Sequence, residues 1–399
     1  MNPDLNRLHP YPFQKMAKLH RNITPPEHLS RISLSIGEPK HPTPAFIQEA
    51  ITNHLDGLST YPTTRGEDFL RESITTWLTR RFAPGTGALD ADKHVLPVNG
   101  TREALFAFAQ CIIDRSKDPL ILMPNPFYQI YEGAALLAGA SPWFLNTDKA
   151  NSYCPDFEAV PEEIWKRCQL LYLCSPGNPT GAVLSSEQLQ TLIEKADQYD
   201  FVIASDECYS EIYFDESAPP TGLLSACITL GRENFDRCMV FHSLSKRSNA
   251  PGLRSGFVAG DAKLIDTFFA YRTYHGCAMP PATQHASAAA WADETHVIQN
   301  RQLYKDKFDA VLEILSPVMD VTLPKASFYL WQKTPIDDQL FSQKLLEQKN
   351  VIVLPGSYLS RDTDQGNPGK NHIRMALVPP FKECVEAAQR IRELVTSLN

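Results

Sequence analysis

Short apolar runs alternate with longer amphipathic stretches from about residue 95 onward. Five apolar runs predict buried strands, at 94–98, 119–123, 170–174, 201–205 and 238–242. Helical periodicity occupies the stretches between some of them, at 101–115, 130–140 and 185–200. Apolar runs that are separated by helices are typical of a parallel sheet covered on both faces. The pattern therefore predicts an α/β fold.

The pattern changes after Lys246 and predicts a second, smaller α/β unit. A strand at 256–261 is followed by helical stretches at 262–275 and 281–316, alternating segments at 321–332, 351–356 and 372–377, and a closing helix at 380–397. The first 45 residues show no strand pattern, so we expect them to pack on this unit. We expect a large domain at 46–280, a small domain formed by 1–45 and 281–399, and a flexible polar loop at 358–372.

Charge and cysteine usage exclude several classes of protein. The net charge of −8 argues against a nucleic-acid or anionic-membrane surface. No apolar run approaches the roughly 20 residues of a membrane helix, and the first residues lack the apolar core of a signal peptide. The nine cysteines form no C-x-x-C motif, and the histidines form no H-E-x-x-H motif. We therefore expect free thiols, no metal site and a cytoplasmic location.

Ligands of open parallel sheets bind where the strands end, so the residues after each strand are the candidates for chemistry. Gly100 and Thr101 follow the first strand and begin a helix, with Thr101 the predicted N-cap. Free N–H groups and the helix dipole favour a phosphate there. A Gly-Thr helix start is also a common cap without any ligand, so this motif alone does not distinguish a phosphate site from an ordinary cap.

The next three strands are followed by an aromatic pair, a turn and a carboxylate. Phe127 and Tyr128 either stack on a flat ring or pack at a helix start. The turn of residues 175–181 presents Asn178. Asp206 stands at a strand end, where a carboxylate is costly without a partner such as a protonated heterocyclic nitrogen.

The last predicted parallel strand leads into "SLSKRSNAPGLRSG", residues 243–256. Burial lowers the pKa of a lysine at such a position and makes its amine nucleophilic toward a carbonyl, which singles out Lys246. Ser243 and Arg254 are donors suited to a phosphate dianion. An amine, an acid for a ring nitrogen, a stacking ring and a phosphate cradle together indicate a site for pyridoxal phosphate.

At this point the sequence resembles the class I/II aminotransferases among the fold-type I pyridoxal-phosphate enzymes. The resemblance runs from "SIGEPKHPTP" through "YPTTRGEDFLR", "NGTREALF", "PNPFYQIYEG", "SPGNPTG" and "DECY" to "HIRMAL". It implies a large domain with a mostly parallel seven-stranded sheet between helices and a small domain built from both termini. It also implies amino-acid and 2-oxo-acid substrates and a homodimer with shared active sites.

The resemblance assigns roles to individual residues. Lys246 would form a Schiff base with the cofactor and later carry a proton, Asp206 would keep the ring nitrogen protonated, and Tyr209 with Asn178 would bind the ring oxygen. The implied cofactor-binding set is Gly100, Thr101, Arg102 through its N–H, Tyr128, Asn178, Asp206, Tyr209, Ser243, Lys246, Arg254 and, from the neighbouring subunit, Tyr61. The substrate carboxylate would be bound by Arg374, Asn178 and the backbone of Gly37.

The wording of several motifs is most similar to the branch of this family that acts on N-succinyl-LL-2,6-diaminopimelate with 2-oxoglutarate, in lysine biosynthesis. Such a substrate needs cations for its distal carboxylates, and Lys40, Arg65 and Arg247 are either those cations or ordinary surface charges.

Other functions remain open at the level of sequence. An aminotransferase for aromatic amino acids, methionine or alanine, and a β-lyase, share the same cofactor chemistry. A non-catalytic effector sensor with this fold is a further alternative, although residues 1–45 are too short and insufficiently basic for a DNA-binding domain. A dinucleotide-binding enzyme would require a G-x-G-x-x-G motif, where this chain has "GTREA".

Overall fold

The computed structural model describes residues 1–398. Its α-helices are α1 (Pro12–His20), α2 (Ala45–Thr52), α3 (Asp68–Phe82), α4 (Thr101–Ile112), α5 (Ile130–Ala138), α6 (Glu162–Trp165), α7 (Ser186–Tyr199), α8 (Leu223–Thr229), α9 (Leu244–Arg247), α10 (Ala262–His275), α11 (Pro281–Ala292), α12 (Thr295–Leu315), α13 (Asp338–Lys349) and α14 (Phe381–Leu398). Its strands are β1 (Ile32–Ser33), β2 (Val95–Val98), β3 (Leu120–Asn125), β4 (Ser141–Asn146), β5 (Cys168–Cys174), β6 (Val202–Asp206), β7 (Cys238–Ser243), β8 (Gly256–Gly260), β9 (Tyr329–Lys333), β10 (Val351–Ile352), β11 (Leu354–Pro355) and β12 (His372–Ala376).

A seven-stranded sheet in the order β2-β8-β7-β6-β5-β3-β4 forms the centre of the molecule. The strands from β7 to β4 pair in parallel. Only β8 runs antiparallel to both of its neighbours. The sequence prediction of a mostly parallel, seven-stranded α/β sheet is confirmed.

Both faces of this sheet are buried, which explains why its strands read as unbroken apolar runs. Successive residues of β7 point into two different clusters, with Val240 packing beside Trp77 on one face and Phe241 beside Phe108 on the other. The carboxyl ends of β5, β6 and β7 consequently lie side by side at one edge.

A three-stranded antiparallel sheet in the order β11-β12-β9 and the parallel pair β1–β10 lie beside the C-terminal helices. Ile32 and Leu34 are buried in one apolar cluster with residues of α12, α13 and α14, so the N-terminal segment packs on the C-terminal unit as expected. The expectation that this segment has no strand was wrong. Strand β1 has two residues, too few to produce an alternating pattern.

Three other elements differ from the sequence prediction. Strand β4 was not predicted, because its exposed and half-buried side chains at the sheet edge include Pro142. The helical stretch 281–316 is two helices, and Asp293 between them accepts hydrogen bonds from the backbone and the ring of His296. The stretch 321–332 becomes a strand only from Tyr329, and 351–356 divides into β10 and β11.

Hydrogen bonds of Arg361 connect the polar loop 358–372 to β3 of the large sheet and to α5. The backbone N–H of Arg361 donates to Asn125 Oδ1 at 3.0 Å, and its guanidinium binds both carboxylate oxygens of Glu132 on α5. The loop therefore lies close to the beginning of α5. Its flexibility stays a prediction.

The nine cysteines are free thiols. Within residues 1–398, no helix combines the length and the apolar character that are needed to cross a membrane. Glu103, His275 and Cys277 bring three potential metal-ligand atoms within 4.8 Å of one another. Arg272 already holds Glu103 with two hydrogen bonds of 2.7 and 2.8 Å, and the expected absence of a metal stays a prediction.

Candidate active site

Lys246 lies in the short helix α9, directly after β7, and its amine is enclosed by protein. The amine donates a hydrogen bond to the carbonyl of Gly37 and lies 5.5 Å from the centroid of the Phe328 ring. Within the described chain no carboxylate forms an ion pair with it. Burial lowers the pKa of Lys246 to about 8, and the charge of Arg374 acts in the same direction. About a tenth of this amine is therefore neutral and nucleophilic at pH 7, a far larger share than for a lysine with the ordinary value of 10.5.

Asp206 is the last residue of β6, and only 4% of it is exposed. The hydroxyl of Tyr131 donates to Oδ2 at 2.7 Å, and the backbone N–H of Cys208 donates to Oδ1 at 3.3 Å. Burial raises the pKa of Asp206, and hydrogen bonds from Cys208 and Tyr131 act against this. A buried carboxyl without a cation in residues 1–398 fits a protonated ring nitrogen, which would keep it ionised.

The beginning of α4 forms a cradle for an anion. Gly100, not Thr101, is the N-cap, which corrects the sequence prediction, and Thr101 is the first helical residue. Gly100 has φ +84°, and a Cβ there would lie 2.3 Å from Nη2 of Arg254. No side chain caps the first turn, so its N–H groups are available for a phosphate beside the guanidinium of Arg254.

Thr101, Arg102 and Ser243 surround this cradle in different ways. Thr101 Oγ1 lies 3.0 Å from Cys208 Sγ, and the side chain of Arg102 lies over the Tyr11 ring at 5.5 Å. Ser243 caps α9, because its Oγ accepts from the N–H of Ser245 at 3.1 Å, and it donates to the carbonyl of Ser255 at 3.3 Å. Ser243 would have to turn its hydroxyl away from Ser255 to reach a phosphate.

Tyr128 lies beside the acid. Its ring meets the ring of Tyr131 edge to face at 5.8 Å, and Tyr131 in turn stacks on Tyr172 at 4.7 Å. Burial raises the pKa of Tyr128, and Asp206 is among the nearby groups that raise it further. The half-buried ring of Tyr128 is thus placed where a flat cofactor ring over Asp206 would contact it.

Arg374 on β12 supplies a buried guanidinium that faces the lysine. It donates to Asn178 Oδ1 at 2.9 Å and to the carbonyl of Ser35 at 2.7 Å, and its Nε has no partner in the described chain. Only 4% of Arg374 is exposed, and no carboxylate of residues 1–398 pairs with it. A buried, unpaired guanidinium of this kind is suited to the carboxylate of a bound substrate.

Two tyrosines connect the acid side of the site with the arginine side. Tyr209 and Tyr329 share a hydrogen bond of 3.0 Å between their hydroxyls, and the guanidinium of Arg374 lies 4.4 Å from the Tyr329 ring. Burial raises the pKa of both tyrosines, so both keep their protons at neutral pH. The Tyr329 hydroxyl also lies so close to Gly37 that a Cβ there would overlap it.

Sequence reasoning missed Tyr131 and Tyr329. Tyr329 stands in the aromatic run "SFYLW", where a tyrosine is an ordinary core residue. Tyr131 follows Tyr128 by one helical turn, and that spacing is the only signal that could have directed attention to it.

The three candidates for distal substrate charges are placed differently. Arg247 is 2% exposed and donates to Ala290 O at 2.7 Å and Glu294 Oε1 at 2.6 Å, so it is a structural residue of the core and not a substrate ligand. Arg65 pairs with Asp266 at 3.5 Å and donates to a carbonyl at the surface. Lys40 pairs with Glu38, whose charge also acts on the pKa of Lys246. Of the three, only Lys40 is paired with a group whose charge acts on Lys246.

Tyr61 makes no contact with this site in the single chain. It is almost fully exposed, at 99%. The expectation that it serves the site of a neighbouring subunit stays a prediction.

The strand ends of the mostly parallel sheet bring together a nucleophilic amine, a buried acid and a helix N-terminus with an arginine. Arg374, on β12 of the smaller sheet, adds a guanidinium without a carboxylate partner in residues 1–398. These features define a pyridoxal-phosphate-dependent enzyme of fold type I. The family described as aminotransferase class I and II matches residues 30–391, and the chain belongs to this family.

Named relatives agree with this assignment. The crystal structure of an aminotransferase from Neisseria meningitidis is 50% identical, has a TM-score of 0.95 and covers 99% of this chain and 100% of its own. An LL-diaminopimelate aminotransferase of Dehalococcoides mccartyi is 33% identical over 359 residues, or 88% of each chain. A probable N-succinyldiaminopimelate aminotransferase from Thermus thermophilus is 25% identical, with a TM-score of 0.84 and coverage of 96% and 99%. The expected aminotransferase activity and the expected cofactor are confirmed.

Proposed function

We propose that this enzyme transfers the amino group of N-succinyl-LL-2,6-diaminopimelate to 2-oxoglutarate, in the diaminopimelate branch of lysine biosynthesis. The observation that carries the proposal is the buried, unpaired guanidinium of Arg374, which faces Lys246 and is suited to the α-carboxylate of an amino acid. The motif wording and the printed name of the Thermus thermophilus relative support the succinylated substrate.

Lys246 is proposed to move the proton. Bound pyridoxal phosphate supplies an electron sink that stabilises negative charge at the substrate Cα. The Nζ of Lys246 accepts the proton from Cα, and because its pKa is lowered to about 8 the resulting ammonium is acidic enough to return the proton on the acceptor side. Arg374, Asn178 and Gly37 orient the carboxylate, so that the Cα–H bond faces this amine.

The remaining residues are proposed to hold the cofactor. Asp206, which is held in place by Tyr131, would bind the ring nitrogen. Tyr209 and Asn178 would bind the ring oxygen, and Tyr128 would cover one face of the ring. The phosphate is bound by Gly100, Thr101, Arg102, Ser243 and Arg254 and, in a homodimer, by Tyr61 of the second copy.

Free LL-diaminopimelate is a second candidate substrate, and one feature of the site favours it. Glu38 and Lys40 form an exposed ion pair, and the charge of Glu38 acts on Lys246. The distal end of free diaminopimelate carries an ammonium and a carboxylate, which complement both charges. The distal end of the succinylated form carries carboxylates only and would bind Lys40 but not Glu38. The curated relatives named LL-diaminopimelate aminotransferases support this candidate.

A panel of amino donors with 2-oxoglutarate decides between these substrates. We expect kcat/KM for N-succinyl-diaminopimelate to exceed that for methionine, tyrosine and alanine by at least about a hundredfold, because a paired distal charge contributes strongly to discrimination. Higher kcat/KM for free LL-diaminopimelate would establish the second candidate, and equal values for methionine or tyrosine would contradict both. Glu38→Gln should favour the succinylated form over the free form.

The assignment of Lys246 has its own test. Lys246→Ala should lower kcat by at least about a hundredfold, because general base catalysis alone contributes roughly 10²–10⁴. It should also lose the visible absorption of covalently held cofactor. Lys263→Ala is the matched control, because Lys263 is an exposed lysine on α10. An active Lys246→Ala enzyme would overturn the proposed role.

A further inference from the structure

A second polar centre lies outside the site described above, where α12, the start of α14 and the N-terminal segment meet. A cavity of about 450 Å³ there is lined by His41, Leu303, Asp306, Lys307 and Phe381. Leu303 and Phe381 are exposed apolar side chains at its rim. Lys307, at the other extreme, is only 2% exposed.

Lys307 is a buried cation without an anionic partner. Its amine lies 2.7 Å from Nε2 of His41 and donates to the carbonyl of Val378 at 3.3 Å. An ammonium carries three N–H donors, so one is left without a nitrogen or oxygen acceptor in residues 1–398. The centroid of the Tyr304 ring lies 5.1 Å from the amine. No carboxylate of the described chain forms an ion pair with Lys307. Burial lowers the pKa of Lys307 to about 8, which agrees with an uncompensated charge.

The neighbouring hydrogen bonds fix His41 as a neutral acceptor for this amine. The Nδ1 of His41 lies 2.8 Å from Asn300 Oδ1, which also accepts from Asn249 Nδ2 at 3.0 Å. Because Asn300 Oδ1 is only an acceptor, Nδ1 carries the ring proton and Nε2 accepts from Lys307. The imidazole therefore does not neutralise the charge of Lys307.

Asp306 supplies the opposite charge on the same cavity. One of its oxygens accepts from Gln302 Nε2 at 2.7 Å, and it forms no ion pair within the described chain. The neighbouring Asp309, by contrast, pairs with Lys305 at 2.6 Å. An unpaired cation and an unpaired anion thus line one cavity with apolar side chains at its rim.

We propose that this cavity is a second binding site, separate from the active site, for a free amino acid. The α-carboxylate of the ligand binds the free N–H of Lys307, the α-ammonium binds Asp306, and the side chain packs on Leu303 and Phe381. A zwitterion satisfies both unpaired charges at once. A simple carboxylate would leave Asp306 unpaired and would place its own negative charge close to that of Asp306.

A short chain of hydrogen bonds connects the cavity with the backbone of Lys246. Asn300, which binds His41, also donates through Nδ2 to the backbone carbonyl of Lys246 at 3.4 Å. An occupant of the cavity therefore contacts a side chain that is linked through His41 and Asn300 to the backbone of Lys246. This proximity gives the second site a physical route to the lysine.

Calorimetry on the cofactor-loaded enzyme tests the proposal with α-methyl-L-leucine as the probe. This amino acid has no proton on Cα and therefore cannot turn over, and its binding in the active site alters the visible absorption. We expect two molecules per chain, one of them without any change in the visible spectrum. Titration that gives only the spectroscopically visible site would overturn the proposal.

Variants identify the residues of the silent site. Lys307→Met and Asp306→Asn should each weaken silent binding roughly 10- to 100-fold, the loss expected for a hydrogen bond to a charged group. Asp309→Asn is the matched control on the same helix and should bind like wild type. Because Asp306 is exposed, its variant tests the site even if Lys307→Met fails to fold. 2,4-Dimethylpentanoate, which is the probe without its ammonium, should bind the silent site at least about tenfold more weakly than the probe. Equal binding by Asp306→Asn would overturn the assignment of an amino acid.

Discussion

Burial shifts the pKa values of Lys246 and Asp206 in opposite directions, but in both residues it favours the neutral form. It lowers the pKa of the lysine to about 8 and raises that of the acid, so it favours the neutral form of each. A neutral amine is ready to react with a carbonyl. A cation beside a buried acid favours its ionised form, as the hydrogen bonds from Tyr131 and Cys208 already do, so Asp206 is suited to a protonated ring.

The lowered pKa of Lys246 predicts the pH dependence of cofactor capture. Only the neutral amine attacks the aldehyde, so the rate at which the apoenzyme binds pyridoxal phosphate covalently should rise with pH and level off above about 8. An amine with the ordinary value of 10.5 would keep gaining rate beyond about pH 10. Stopped-flow absorbance from about pH 6 to about pH 10 measures this, with butylamine in solution as the control.

The hydrogen bond from Tyr131 to Asp206, which the sequence did not reveal, predicts a change in cofactor affinity. Tyr131→Phe removes the 2.7 Å hydrogen bond to Asp206 and should weaken cofactor binding roughly 10- to 100-fold, because hydrogen bonds to charged groups contribute about 1.5–3 kcal/mol. Tyr172→Phe is the control, since its hydroxyl donates at 2.6 Å to the carbonyl of Leu105 and not to the acid. Equal cofactor affinity in the two variants would show that Tyr131 does not act through Asp206.

At the scale of elements, the sequence located the site through the ends of its strands. Asp206 closes β6, and Lys246 follows β7 by three residues, so parallel pairing alone brings the two together. The parts that escaped prediction depend on tertiary contacts. Strand β1 exists because Ile32 lies in register with Val351, and the N-cap is Gly100, which lies beside the Arg254 guanidinium with φ +84°, a conformation that favours glycine. Neither contact is visible from local periodicity.

Arg247 was a candidate substrate ligand because it lies in a conspicuous motif, but its role in the structure is to stabilise the core. Its guanidinium lies 5.4 Å from the Trp77 ring and 5.0 Å from the Trp291 ring and binds α11 and the residues after it. Arg247→Met should lower the free energy of unfolding by about 2–4 kcal/mol, because it leaves buried acceptors without a donor. Chemical denaturation measures the loss, and KM for the amino donor should not change.

Arg80→Met is the matched control for this prediction. Arg80 binds the same Glu294 Oε1 at 2.8 Å, but from the surface, so its loss should cost less than about 1 kcal/mol. If Arg247→Met changed KM and left the stability unchanged, Arg247 would instead be a substrate-binding residue.

At the scale of the whole molecule, we propose the two domains that the sequence suggested, with one adjustment. Ala286, Ala290 and Trp291 of α11 belong to the same apolar cluster as Ile47 and Trp77, so the packing favours a boundary after α11 and not at residue 280. The long helix α12 then joins the two units, and its Phe308 and Leu315 pack in the cluster of the smaller one.

Large apolar side chains at the surface are consistent with the proposed homodimer. Leu58, Tyr61 and Tyr274 are 74%, 99% and 95% exposed in the single chain. Exposed apolar side chains of this size are typical of surfaces that bind another protein, and a second copy in a symmetric pair is the simplest partner. Sedimentation should therefore give twice the mass of 44.7 kDa.

Hybrid dimers test whether Tyr61 of one copy completes the site of the other. Lys246→Ala and Tyr61→Ala chains, each impaired alone, are unfolded together, refolded and assayed. If Tyr61 serves the partner's site, each hybrid contains one site with both residues intact, and random pairing restores about a quarter of the wild-type activity. If Tyr61 serves its own chain, both sites of the hybrid are defective, and the activity of the mixture equals the mean of the two separate variants. The control is a mixture of Lys246→Ala with Lys263→Ala, which should show about half of the wild-type activity under either arrangement, because half of its chains carry Lys246 and all carry Tyr61.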